Sequence, residues 1–274
     1  TLALIVYGDL DITLLDEMPK GRLPIQTFAV NKLTSSISEK WGSEISIKDV
    51  HITPTLKLVA HDFKLCDNHN KPMITAGTIK GRLLSFTVKP LKLKFGTLDV
   101  DSADVVLRKY KGEESVNISL WAQKIKKEKK EKGTLLLTAK NLKLNNSRFV
   151  LINDERRVVF DTKDQPDIDY GYLELKDINI DANKFAVKAD KIVNISMDFN
   201  HLAFNQYGGF SLTDGQANFS ICDTALVMDK MHFVTPNSNL DMDLKFQYDE
   251  WHQLGDFVDS VRIVSTIRPT TLSM

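Results

Sequence analysis

The spacing of apolar residues changes once along the chain, from about four to two. Ile25, Ala29, Leu33, Ile37 and Trp41 recur at helical spacing, and Phe28 and Val30 widen the stripe. Asn31, Lys32, Ser35, Glu39 and Lys40 fill the opposite side, and Gly42 stands where a helix end is expected. This pattern predicts one amphipathic helix over residues 25–42. Such a helix must lay its stripe on something apolar, and in a chain rich in strand patterns the natural partner is the open end of a sheet. Residues 1–24 hold two short apolar runs, Leu2 to Tyr7 and Leu10 to Leu15, before the breakers Met18-Pro19-Lys20-Gly21. They read as two short strands and form a separate, poorly assigned segment.

From residue 43 to residue 274 the period is two. Leu56 and Leu58 flank Lys57, and Phe63 and Leu65 flank Lys64. Leu91, Leu93 and Phe95 alternate with Lys92 and Lys94. Leu240, Met242, Leu244, Phe246 and Tyr248 alternate with Asp241, Asp243, Lys245 and Gln247. Strict alternation marks a strand with one wet and one apolar face. Turn-forming clusters separate the runs: Asp67-Asn68-His69-Asn70, Gln206-Tyr207-Gly208-Gly209 and Pro236-Asn237-Ser238-Asn239.

Within this segment one pattern recurs. Leu98 to Leu107, Leu142 to Leu151 and Ile178 to Val187 each read apolar-polar-apolar, then Asp or Asn, a small or polar trio and an apolar triplet. Asp and Asn tolerate a left-handed backbone and bond their own turn. The pattern therefore predicts a strand–turn–strand unit reused at unequal intervals, each copy covering its neighbour's edge.

Charge narrows the functional classes. Lys+Arg and Asp+Glu number 36 each, a balance that argues against a nucleic-acid binder, which needs a net basic face. The run Lys124 to Lys132 is the local exception; it has no aromatic residue to stack bases and reads as a solvated loop or frayed helix. Cys66 and Cys222 lack the companion spacing of a zinc site or disulfide framework and read as lone thiols. No apolar run approaches the ~20 residues of a membrane-spanning helix, and the ends, at Thr1 and Met274, suggest a piece of something longer.

Catalytic patterns are missing from the sequence. There is no GxSxG, HExxH, GxxxxGK[ST] or GxGxxG. His61-Asp62 would point to opposite faces of a strand, and Asp67 with His69 reads as turn surface. Asp161, Asp164, Asp167 and Asp169 lack the alternate-ligand spacing of a calcium loop. Asn117, Asn145, Asn194 and Asn218 each begin an Asn-x-Ser tripeptide, which carries meaning only in a eukaryotic secretory host. The chain reads as a non-enzyme that needs no cofactor or metal.

Several stations in order give a family resemblance. Leu23-Pro24-Ile25-Gln26 leads into the helix, and Ser38-Glu39-Lys40-Trp41-Gly42-Ser43-Glu44-Ile45-Ser46-Ile47 joins its end to a first strand. Leu65-Cys66-Asp67, Asn117 to Trp121, Gly209-Phe210-Ser211-Leu212, Thr235-Pro236-Asn237-Ser238 and Trp251 to Val258 follow. From about Arg22 onward the chain resembles the amino-terminal region of the TamB family (translocation and assembly module subunit) in the AsmA-like superfamily. Residues 1–24 do not resemble that family's hydrophobic anchor, and Cys66 and the Lys124 to Lys132 run are local to this chain.

The resemblance implies a mainly β fold, an elongated, curved antiparallel β-sheet trough (a β-taco) with one amphipathic N-terminal helix. It also implies a periplasmic lipid conduit that supports phospholipid transport and outer-membrane biogenesis. The parent protein would be anchored in the inner membrane of a Gram-negative bacterium and work with an outer-membrane barrel protein. A scaffold for outer-membrane protein assembly and a β-rich binding module are the alternatives. Roughly 16 to 20 strands at about 4.8 Å spacing would give a sheet on the order of 80–95 Å long. The floor holding phospholipid acyl chains would comprise Leu56, Leu58, Leu91, Leu93, Phe95, Leu98, Val100, Leu142, Leu144, Ile178, Ile180, Leu240, Met242, Leu244 and Phe246. Ordinary core is the competing reading for each of these residues.

Overall fold

The computed structural model describes residues 44–53, 55, 57–87, 92–121, 135–156, 171–189, 193–249, 253 and 260–271. The segment 1–24, the helix expected over 25–42, the Lys124 to Lys132 run, the Asp161 to Asp169 string, most of Trp251 to Val258, Leu56 and Leu91 lie outside the described residues. Of the three expected divisions, the 43–274 sheet segment is therefore the one on view.

That segment is mainly β, a single long, curved, open sheet. Its first strands are β1 (Ile45–Ser46), β2 (Asp49–Ile52), β3 (Lys57–Cys66) and β4 (Pro72–Thr87). The longest follow: β5 (Lys92–Lys109), β6 (Leu135–Asn153), β7 (Tyr172–Ala189) and β8 (Val193–Gln206). The series ends with β9 (Ser211–Leu212), β10 (Asp214–Cys222), β11 (Ala225–Val234), β12 (Asn239–Gln247) and β13 (Arg262–Ile267). Neighbours in sequence are mostly neighbours in space, running β1-β3-β4-β5-β6-β7-β8-β10-β11-β12-β13, with β2 also on β3 and β9 on β8. Among the described residues, close backbone contact between strands is confined to strands adjacent in the sheet.

Pairing is antiparallel throughout except between β5 and β6, which run parallel. A parallel pair needs a crossover instead of a hairpin, and residues 110–134 supply it. The strands are long: β4 to β7 have 16 to 19 residues each, against about 5–6 for a typical strand. Among the described residues the sheet has 13 strands. Runs that read as two strands are one.

What lets such strands curve is a line of inserted residues. Asp62 on β3, Ser102 on β5, Asn146 on β6 and Asp177 on β7 have φ of 52°, 55°, 49° and 52°. Registers place Gly77 of β4 between Asp62 and Ser102, and a Cβ on Gly77 would stand 3.3 Å from that of Ser102. Asp101 pairs Asn145 and Asp104 pairs Arg148, so Ser102 and Asn146 sit side by side. A bulge bends its strand and increases its twist; bulges aligned on neighbouring strands crease the whole sheet across its strands. Lys184 on β7 and Lys230 on β11, with φ of 54° and 53°, mark further insertions beyond this seam.

The recurring sequence pattern is the imprint of that seam. Its first two copies pair in the register that the sequence alignment gave, Leu98 to Leu142, Val100 to Leu144 and Val105 to Phe149. The turn expected at Asp or Asn is instead a bulge inside an unbroken strand. Left-handed backbone falls one residue later, at Ser102 and Asn146, and not at Asp101, Asn145 or Asp181; hydrogen bonding continues on both sides. The third copy lies on β7, antiparallel to β6, where Ile180 pairs Leu144 and Ala182 pairs Leu142. It is not a structural equivalent of the other two.

Side chains brace the seam. Asn145 donates to Asp99 (2.8 Å) and Asn146 to Asp101 (3.3 Å). The Ser147 hydroxyl accepts from the Ala103 amide (3.2 Å), and Asn205 donates to Asp177 (3.0 Å).

Candidate functional site

Insertions also decide which side chains share a face. On an unbroken strand, residues two apart point the same way; across an inserted residue the spacing becomes three. Phe95 and Leu98, Ala139 and Leu142, Ala182 and Phe185 pack in one apolar cluster with Leu93, Val100, Leu137, Leu144, Ile180, Met197 and Phe199. Phe199 also packs against the Ala217, Met231 and Met242 cluster, with Met228, Leu240 and Leu244. The two clusters are therefore one continuous face from β4 to β12.

Read along the hydrogen bonds, this face consists of apolar rows. One row runs Leu93, Leu137, Val187, Ile195, Ile221, Leu226, Phe246 and Ile263, through eight strands without a polar residue. A second runs Leu98, Leu142, Ala182, Phe199 and Ala217, and resumes past a bulge as Met231, Met242 and Ile267. A third runs Ala60, Ile79, Val100, Leu144, Ile180 and Leu202. Gly81 stands in the second row beside Leu98, where a Cβ would meet the Phe95 ring at 2.8 Å. The missing side chain makes room for that ring.

Thirteen of the fifteen expected floor residues are described, Leu56 and Leu91 being the exceptions. Leu93, Phe95, Leu98, Val100, Leu142, Leu144, Ile180, Leu240, Met242 and Leu244 all belong to the joined clusters. Phe246 lies in the first row and Leu58 pairs Gly81 at the β3 end of the second. Ile178 is buried across the seam, opposite Ser147. Phe95, Leu98, Leu142, Ile178 and Met242 are buried under their neighbours, while Leu58, Leu93, Val100, Leu144, Ile180, Leu240, Leu244 and Phe246 are half-buried. The half-buried side chains leave part of their hydrocarbon accessible along this face.

The sequence reading missed Ala139, Ala182, Phe185, Met197, Phe199, Ala217, Met228 and Met231, which complete the face. Strict alternation loses them because each stands next to an insertion or is a small residue. A spacing of three bracketing Gly, Asn or Lys was the available signal.

The opposite face is polar. Lys92 and Lys94 are exposed, and Lys143 pairs Asp181 (3.6 Å). His201 pairs Asp214 (2.7 Å), and His232 pairs Asp241 (2.8 Å). A shallow open depression of about 550 Å³ lies over the seam, and its Asp62 already pairs Lys48 at 3.1 Å.

One end of the sheet carries a buried polar cluster that the sequence reading placed on the surface. Asp67 is 1% exposed. One of its oxygens accepts from the His69 and Lys71 amides (2.8 and 3.0 Å), the other from the Tyr110 hydroxyl (2.7 Å) and Asn117 (3.1 Å). Burial, the largest influence on this carboxyl, favours the neutral acid. The four hydrogen bonds outweigh it and hold Asp67 below the usual carboxylate range. Burial and then the Asp67 bond push the Tyr110 phenol above its usual range. Asn117 also donates to the Val106 carbonyl and accepts from the Arg108 amide, so this Asn-x-Ser asparagine is an internal clamp. Two stations of the resemblance, Leu65-Cys66-Asp67 and Asn117 to Trp121, thus meet at one hydrogen bond.

Cys66 is buried and Cys222 half-buried, both as free thiols. Among the described residues no group of three or more His, Cys, Asp or Glu could hold a metal ion, and no helix is long and apolar enough to cross a membrane. No family profile matches the chain, and no curated protein matches it.

Proposed function

We propose that this chain is a non-catalytic segment of a lipid conduit, its creased apolar face holding phospholipid acyl chains. The observation that supports this reading is the row from Leu93 to Ile263, apolar on eight successive strands. A tail lying along such a row meets the same chemistry at each ~4.8 Å step. It gains about 0.8 kcal/mol per buried CH₂ without a specific contact. An environment that repeats along one direction binds hydrocarbon while offering few barriers to sliding.

The TamB resemblance extends the proposal to a setting. The segment would work in the periplasm as part of a longer protein anchored in the inner membrane, with an outer-membrane barrel as partner. Phospholipid transport to the outer membrane and outer-membrane assembly would be the processes served. The eleven strands that lie side by side account for a sheet of roughly 50 Å across the strands, part of such a crossing.

Photo-crosslinking residues placed at Leu93, Leu144 and Leu244 should trap phospholipid, read by mass spectrometry of the adducts. The same probes at Lys92 and Lys94 on the polar face should not. Equal labelling of the two faces would sink the conduit reading. Protein adducts in place of lipid at the three apolar positions would favour the scaffold instead.

A further inference from the structure

The polar face of the sheet is not evenly charged. Lys80, Asp99, Lys143 and Asp181 pair in that order across β4 to β7, alternating in sign. Between this row and the strand ends at Thr87, Lys92, Leu135 and Ala189 the balance is lost. There the four strands carry Arg82, Lys92, Lys94, Lys140, Lys184 and Lys188 and no Asp or Glu. All six cations are exposed. In a chain whose formal charges cancel, this is a local excess of positive charge in the middle of the sheet.

Alternation fixes the side on which they stand. Leu93 and Phe95 belong to the apolar cluster, so Lys92 and Lys94 face away from it; Lys140 follows Ala139, and Arg82 precedes Leu83, in the same sense. Lys188 follows Val187 of the first apolar row. Lys184 pairs with Asp198 of β8 at 2.7 Å, whereas Arg82, Lys92, Lys94 and Lys140 make no ion pair among the described residues. Hydrocarbon is interleaved with the charge. Lys92, Leu136 and Lys188 stand side by side on β5, β6 and β7, and Leu136 is half-buried. Leu84 is 40% exposed and lies against Gly96, two residues on from Lys94.

We infer that this basic patch docks on the surface of an anionic phospholipid bilayer. Five of the six cations are lysines, hydrated point charges without the rigid fork with which arginine reads a fixed pair of oxygens. They spread over three inter-strand steps, about 14 Å, instead of converging on a pocket. A layer of mobile headgroups fits such an array, and a single structured anion does not. Leu84 and Leu136 add apolar contacts at headgroup depth. Nucleic acid is a poorer match, because the neighbouring rings Phe95 and Phe185 belong to the opposite, apolar face and leave no platform on which a base could stack. Each cation near an anionic surface contributes about fivefold in affinity. Docking rests on charge and does not depend on what the apolar face holds. In vesicle-free protein these lysines face water, so crosslinking probes placed there still find no lipid.

Vesicle flotation with the whole chain tests this. The protein should float with vesicles of equimolar phosphatidylglycerol and phosphatidylcholine and not with vesicles of phosphatidylcholine alone. Raising salt from about 0.1 M to about 1 M, which shortens the screening length from about 10 Å to about 3 Å, should release it. The triple variant Lys92→Gln/Lys94→Gln/Lys140→Gln keeps most of each alkyl stem and removes the charge. Its partition onto the anionic vesicles should fall at least about tenfold. Lys71→Gln/Lys111→Gln/Lys230→Gln removes as many exposed charges outside the patch, and should change the partition by less than about twofold. Circular dichroism checks that both variants fold. No binding to the anionic vesicles, equal binding to the two vesicle types, or equal losses in the two variants overturns the inference. So does tighter binding to polyglutamate or to duplex DNA at the same salt.

Discussion

Asp67 shows how a single side chain can be misread from its neighbours in sequence. In Asp67-Asn68-His69-Asn70 everything suggests a solvated turn, and the turn is present, with the Asn70 amide donating to the Asp67 carbonyl at 3.0 Å. Nothing local reveals that Tyr110 and Asn117 arrive from more than forty residues away to bury the carboxylate. Replacing it with Asn turns an acceptor of four hydrogen bonds into a group whose amide faces two donors. The expected cost is about 3 kcal/mol, measured as a lower urea midpoint at pH 7. The pH dependence has a defined sign. The folded carboxyl sits below its unfolded value, so its contribution is complete above the unfolded range and is lost as pH falls through the folded value. Wild-type stability should begin to drop below about pH 5 and keep falling through the lowered folded value, while Asp67→Asn, already weakened, should show a flatter decline. Equal slopes for the two proteins would refute the assignment.

At the scale of elements, the long strands were legible and their insertions only half so. Alternation identified the strands, whereas the Asp or Asn at the fourth position of the recurring pattern pointed to left-handed backbone one residue early in two copies and wrongly in the third. Whether such a residue ends a strand or merely kinks it depends on the neighbouring strands, and no single-strand pattern contains that information. For Ser102 and Asn146 the neighbour carries its own insertion at the same level, so pairing resumes with both strands displaced together. Parallel pairing of β5 and β6 was hidden for a similar reason, since the crossover run of lysines gave no sign of direction. The insertions make a measurable prediction. Asn146→Val places a β-branched residue at φ of 49° and should cost about 1–2 kcal/mol, whereas Asn146→Gly should be close to neutral despite losing a side-chain bond. Chemical denaturation of the pair would decide, and equal losses would show that the Asn146 side chain, not the backbone, matters here.

For the whole molecule, the curved sheet and its apolar face were readable, since alternation over many strands admits few other architectures. Its dimensions were not, because long bulged strands cannot be distinguished from pairs of short ones. The two readings of the floor, open furrow or sealed core, are also a property of the whole, and they turn on what lies opposite. Leu93, Leu144 and Leu244 are half-buried, and lipid or protein captured at these positions would separate the two readings.

Strand direction has a mechanical corollary. Every backbone hydrogen bond between strands points along the furrow, so tension applied between β1 and β13 would load these bonds one ladder at a time. The sheet should peel from its margins in small sequential steps at low force, whereas a pull along the strands would strain a whole ladder together and resist far longer. In an optical trap, handles on β3 and β12 should give a staircase. A single abrupt rupture would mean that the long strands yield as one body.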